Sequence, residues 1–207
     1  MKPWFRYPQV DQRQLEILYS QHHRDYHGIK HPEYVYYYSQ ELWEQYAKNT
    51  TNVDPTMFFA DAASWHDSIY DIGAKDNEAR SARAWRESRR AELQHEDYVR
   101  EVADVIEGSA NHWAASNEAL PLKSKIFLDA DLYELGASWE VFSDNTRRVV
   151  NEYTTRFALE EIIAGRLAWY RNVMEYPRIY WVATHLERKA RLNIERAIKE
   201  MERGYSS

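Results

Sequence analysis

Apolar residues along this chain recur at helical spacing, and no segment shows the strict alternation between turn signals that marks a half-buried strand. With only 6 Gly and 6 Pro to interrupt 207 residues, the pattern predicts an all-α chain. Helices are expected over 11–27, over 32–48, and from Asp54-Pro55 through Trp65-His66-Asp67. Asp54-Pro55 is a cap-and-start signal, and Pro32 suits a first helical position, where its missing N–H costs nothing. After a short loop at 72–76, further helices are expected over 77–93, 95–116 and 123–135, the last ending at Gly136. The stretch from Trp139 to Arg203 reads as two or three long amphipathic helices with a break at Pro177. There is no linker and no internal repeat, so a single compact helical domain is expected over 1–207. Its core would cover about 11–136, with added C-terminal helices over about 139–203.

Composition narrows the chemistry. The absence of cysteine removes disulfides, thiolate nucleophiles and Cys-ligated zinc, so a metal would have to be held by His, Asp or Glu. A net charge of -6 argues against salt-driven nucleic-acid binding. No signal-like opening and no apolar run of spanning length are present, which predicts a cytoplasmic protein without a membrane partner. The 16 Tyr and 8 Trp are mostly expected in packing, with a few left to line a pocket.

The metal-competent side chains form an ordered set. His27 and His31 stand in "DYHGIKH", His66 and Asp67 in "WHDSIYD", Asn77 and Glu78 in "DNEARSA", His112 in "SANHW", and Asp129 and Asp131 in "FLDADLYELGA". The last two acids are the most informative, because Ile126, Phe127, Leu128 and Leu132 surround them. Burying an acid there costs several kcal/mol, on the order of the penalty for an unpaired charge, unless it is paired or bound to a cation.

The order His, His-Asp, Asp resembles the HD superfamily of metal-dependent phosphohydrolases. More closely, the chain is similar to a small family of predicted HD-type phosphohydrolases with four motifs, here Tyr26-His27…His31, His66-Asp67…Tyr70-Asp71, Asp76-Asn77-Glu78…Ser81-Ala82 and Asp129-Ala130-Asp131-Leu132…Leu135-Gly136. Glu152-Tyr153, Gly165-Arg166, Ile179-Tyr180 and Ala190-Arg191-Leu192-Asn193 extend the likeness over nearly the whole chain after its first ten residues. The resemblance implies that His31, His66, Asp67 and Asp131 hold a divalent ion (Mn, Co, Ni, Fe, Mg or Zn), and that Asp129 orients a ligand imidazole. His112, with Glu78, would serve a second ion if there are two.

The implied activity is cleavage of a phosphate ester or anhydride, most plausibly of a nucleotide, by attack of a metal-bound water. Asp67 or Glu78 would take the water's proton, with Asp71 in reserve. Arg24 is the favoured phosphate contact, ahead of Lys30 and Arg80, with His27 and Asn77 as further substrate contacts. A ring of the Tyr36-Tyr37-Tyr38 run offers a surface for a base, although core packing is the safer expectation for it. The expected partner is a small phosphorylated substrate, and the aromatic-rich tail offers a face for a homodimer. Two alternatives stay open: an HD-fold di-iron oxygenase, and a non-catalytic metal-binding protein.

Overall fold

The computed structural model describes residues 2–47 and 53–204, and among them the chain is all helical, with no strand. Ten helices follow one another: α1 Gln9–Tyr19, α2 Lys30–Tyr46, α3 Thr56–Trp65, α4 Asn77–Arg86, the single turn α5 Arg89–Glu92, α6 Glu96–Gly108, α7 Leu122–Asp131, α8 Trp139–Tyr153, α9 Leu159–Glu175 and α10 Glu187–Gly204. Lys48, the expected end of the second helix, lies outside the described residues. No helix of the described residues is long and apolar enough to cross a membrane.

The helices differ in how they are buried, and the sequence explains why. Every residue of α3 from Phe58 to Trp65 is buried, so this helix forms the centre of the fold. By contrast, α6 buries one stripe (Val102, Ala103, Val105, Ile106), and α10 buries Ala190, Asn193, Ile194 and Ala197, the spacing of one face of a 3.6-residue helix. α2 packs on α3 and α7, α4 on α6, and α10 on α9 and the turn Tyr133–Gly136. One continuous apolar cluster runs from Trp4 through Trp65 and Trp85 to Ala197, so the tail helices share the core of the first seven. Each large apolar side chain buried there contributes roughly 1.5–3 kcal/mol against unfolding.

Several elements are shorter than the periodicity predicts: α3 stops at Trp65 rather than Asp67 and α7 at Asp131 rather than 135, while a side chain or a glycine accounts for three further stops. α1 stops at Tyr19 rather than near His27, and residues 20–29 form a chain of turns. Gly28 permits this, since a Cβ there would sit 3.1 Å from the Arg24 carbonyl oxygen. The expected helix over 77–93 breaks at Ser88, whose Oγ accepts from Ala91 N–H at 3.0 Å and starts α5. The expected helix over 95–116 ends at Gly108, because the Asn117 amide donates to the carbonyls of Gly108, Asn111 and His112 and holds that stretch as turns. α2 begins two residues before Pro32. The proline still falls in the first turn, where no intrahelical hydrogen bond is lost. Asp54 behaves as expected, its Oδ1 accepting from Thr56 N–H at 2.9 Å.

Candidate metal centre and cleft

Three helix ends meet at one point. His31 sits in the first turn of α2, His66 is the cap residue just after α3, and Asp131 is the last residue of α7. The chain leaves α3 with the His66 N–H still bonded to Ala62 O at 2.9 Å, while Nδ1 lies 3.0 Å from Ala63 O. Donation from Nδ1–H to that carbonyl fixes the ring and turns Nε2 inward. Arg24 then secures the chain after the doublet, donating to Asp67 O at 2.7 Å and Ser68 O at 2.9 Å.

His31 Nε2 and His66 Nε2 lie 3.1 Å apart, and Asp67 Oδ2 is 3.2 Å from each of them. Asp131 Oδ1 approaches the same two nitrogens at 3.1 and 3.4 Å. His31, His66 and Asp67 thus form a group of metal-competent atoms, and Asp131 joins it through the nitrogens. Separations of this size are what neighbouring ligand atoms show around one ion with bonds of about 2.0–2.2 Å. Two carboxylates facing two imidazoles in a nearly dry site require positive charge. Burial by itself would strip the proton from His31, but its hydrogen bonds to Asp131 and Asp67 outweigh this and hold its pKa up to about 9. Burial likewise opposes charge on His66, Asp67 and Asp131. Their mutual attraction overcomes it, raising the imidazole and pushing both carboxyls well below the usual range. A divalent cation would replace the imidazole protons in the same role, so the residues fit such an ion.

His112 reaches the site from another side, its Nε2 2.9 Å from Asp131 Oδ2. It therefore touches the outer oxygen of a prospective ligand and not the two converging nitrogens.

The centre forms the floor of a cleft of about 860 Å³, whose walls include Tyr26, His27, Tyr70 and Glu78 near the floor and residues of α8 and α9 beyond. His27 is held by Glu152, a fully buried carboxylate. Glu152 Oε1 accepts from the backbone N–H groups of Tyr26 and His27 at 2.9 and 2.7 Å, and Oε2 lies 2.7 Å from His27 Nδ1. The His27 ring stacks on Tyr70 at 4.2 Å between centroids. Glu78 is half-buried. Burial, then the charges of Asp67 and Asp131, raise its carboxyl above the ordinary value against partial opposition from its own backbone N–H and His112.

The residues expected to carry chemistry divide into two groups. His27, His31, Asp67, Glu78, His112 and Asp131 all line the cleft, and His66 lies directly behind its floor. Five others do not reach it. Arg24, expected to bind phosphate, is buried with its guanidinium donating to Gln21 Oε1 and to the carbonyls of His27, Asp67 and Ser68, so it braces the chain. Asn77 uses both ends of its amide on the backbone of Asp71, at 3.0 Å each, and closes the 71–77 loop. Asp71 is exposed and paired with Arg80 at 2.6 Å, which removes the reserve base and one candidate phosphate ligand together. Lys30 is likewise outside, paired with Glu33 at 3.2 Å.

Asp129 also differs from expectation. It accepts from the N–H groups of Trp181, Val182 and Ala183 and anchors the connection before α10, with no imidazole among its hydrogen bonds. Burial raises its pKa to about 6 in spite of those three donors. In the tyrosine run, Tyr37 is exposed and Tyr38 stacks on Tyr133 at 3.9 Å, with no member lining the cleft.

Sequence reasoning passed over Glu152, Glu134 and Arg166 as site residues. Glu152 and Arg166 sit in two of the tail pairs, Glu152-Tyr153 and Gly165-Arg166, which offered a signal but no role. Glu134 lies beside the floor, accepting from Tyr26 Oη at 3.3 Å and from Asn145 at 2.6 Å. No known family model, curated protein or solved structure matches the chain, so its function is read from this site.

Proposed function

We propose that the protein is a metal-dependent phosphohydrolase of the HD type, cleaving a phosphate ester or anhydride of a nucleotide-like substrate. The observation that carries this reading is the convergence of His31, His66, Asp67 and Asp131 at the floor of a cleft large enough for such a molecule. These four residues would hold the ion, and His112 would steady Asp131 through its outer oxygen. The chemistry such an ion would supply there is a water of lowered pKa, toward about 7, and positive charge beside a phosphoryl oxygen.

The chain's own groups do the rest. Asp67 directs Oδ2 at the imidazoles and keeps Oδ1 to accept a proton from an attacking water. Glu78 holds its proton to higher pH than an ordinary carboxyl, which suits delivery of that proton to a leaving oxygen. With Nδ1 committed to Glu152, His27 has Nε2 left for hydrogen bonding inside the cleft. Tyr26 and Tyr70 pack against the two His rings and limit water at the floor.

The test is phosphate release from a panel of mono-, di-, tri- and cyclic nucleotides with and without Mn²⁺, on wild type and Asp67→Ala. Metal-dependent release that falls more than about 100-fold in the variant is expected, since even partners one step removed from a metal commonly cost 10–100-fold. Retained metal with no release from any phosphate ester or anhydride would sink the reading.

A further inference from the structure

Arg166 on α9 is unlike the other cations of this protein. It is the one Lys or Arg among the described residues lining the cleft, and no carboxylate of the described residues pairs with it. Two acids of the lining on the α8 and α9 side are already engaged. Glu161 accepts from Ala158 N–H at 3.1 Å and Glu134 from Tyr26 and Asn145. The guanidinium lies over Trp169 at 4.6 Å and Tyr170 at 4.7 Å, and its Nε is shut off from solvent without any hydrogen-bond acceptor. Rings can hold a guanidinium in place, but they leave its in-plane N–H groups unsatisfied. Such a group lacks a planar oxyanion.

A second observation is independent of charge. Gly165, the neighbour of Arg166, sits in the interior of a 17-residue helix, where glycine is the least favourable residue after proline. Neither packing nor backbone demands it. A Cβ there would meet nothing within 4 Å, and its φ is not positive. Gly165 is exposed where it lines the cleft, so a side chain added there would take up open space beside it.

We propose that Gly165 and Arg166 form an oxyanion subsite of the cleft, Arg166 binding a phosphate group of a small aromatic-bearing phosphate compound while Gly165 leaves it room. Trp113, Tyr176 and Trp169 stand beside the subsite as stacked or tilted rings, and give a flat moiety a surface to lie on. The subsite shares one cleft with the floor, since Arg166 and Tyr26 both line it and the Tyr26 ring leans on His31 at 5.0 Å. The inference rests on the hydrolase reading for its choice of phosphate, yet it concerns binding and is testable without turnover.

Titrations of AMP, adenosine and inorganic phosphate, followed by tryptophan fluorescence, would be run on wild type, Arg166→Gln and Arg166→Lys in Mn²⁺ buffer. Arg166→Gln should weaken AMP binding roughly 10- to 100-fold and leave adenosine unchanged, with Arg166→Lys between. Equal AMP affinity in wild type and a folded Arg166→Gln overturns the proposal, as does a wild type that binds neither AMP nor phosphate. Gly165→Leu covers the case of a variant that does not fold. It should melt no lower than wild type and lose AMP binding, and unchanged binding would again overturn the subsite. AMP binding that depends on Arg166 without any phosphate release supports the subsite and removes the hydrolase reading. Metal-dependent release with a KM indifferent to Arg166→Gln does the reverse.

Discussion

Arg24 and Arg166 both lie over aromatic rings beside the same cleft, yet one guanidinium is bonded on every nitrogen and the other on none. Arg24 belongs to the wall built from α2, α3 and the turns at 20–29. There, polar groups answer one another: the carbonyls of His27, Asp67 and Ser68 take the guanidinium, and His66 is tied to its own helix. Arg166 belongs to the wall built from α8 and α9, where a cation and an open position face the cleft without partners. The Arg24 guanidinium is complete in the absence of any ligand. The Arg166 guanidinium is not. A fully satisfied polar network fixes a shape, whereas an unsatisfied cation lining a cleft has donors left for a ligand.

The largest expected effect that tests this contrast is on stability. Arg24→Met removes a buried guanidinium and leaves three carbonyls short of a donor, at a cost of about 3 kcal/mol or more. Arg166→Met leaves no protein acceptor behind and loses only its contact with two rings, at a cost under about 1 kcal/mol. Urea unfolding of the two variants measures the difference directly. Similar losses at both positions would erase the distinction between the walls.

That contrast also explains what could be read ahead of the structure. His31, His66, Asp67 and Asp131 were expected together only through the resemblance of their motifs to the HD superfamily, since His31 and His66 are 35 residues apart and no spacing brings them to one point. Arg24 was misassigned because its partners are the backbone carbonyls of Asp67 and Ser68, 43 and 44 residues away, and a carbonyl has no signature in a sequence. Asn77 and Asp71 sit in a motif beside the site, yet their partners are local and turn them away from it. Helical periodicity placed the long elements. It missed the stops at Tyr19, Arg86 and Gly108, which depend on Gly28, Ser88 and the reach of Asn117. Glu152 was invisible as a partner of His27, since only the docking of α8 brings them together across 125 residues.

Glu152 gives the next prediction, of intermediate size and with a definite sign. Burial would raise its carboxyl, but the charge and hydrogen bonds of His27 outweigh that and lower it below the ordinary 4.5. Its contribution to stability is therefore complete above that ordinary value and is lost as pH falls through the lower folded value. Glu152→Gln keeps an oxygen for the Tyr26 and His27 N–H groups but forfeits the charge, so it should be less stable than wild type by about 1 kcal/mol at neutral pH. The gap should narrow as the pH falls below about 4, where the wild-type advantage titrates away. Urea midpoints measured at several pH values test it, and parallel curves for the two proteins would show that this carboxylate is not stabilised by His27.

The smallest expected effect bears on the open wall. Gly165→Ala places a methyl group where nothing lies within 4 Å, in the interior of α9, so the folded state accepts it without a clash. Alanine also restricts the unfolded chain and favours the helix, and the variant should gain roughly 0.5–1 kcal/mol. A residue whose replacement stabilises the fold is not required by the fold, so the effect of the same change on ligand binding tests its role in the cleft. The comparison sharpens if stability rises while AMP affinity falls by a few-fold, because the same methyl group then helps the helix and crowds the ligand. If stability falls instead, Gly165 is structural, and the empty position beside Arg166 is a feature of packing and not of the cleft.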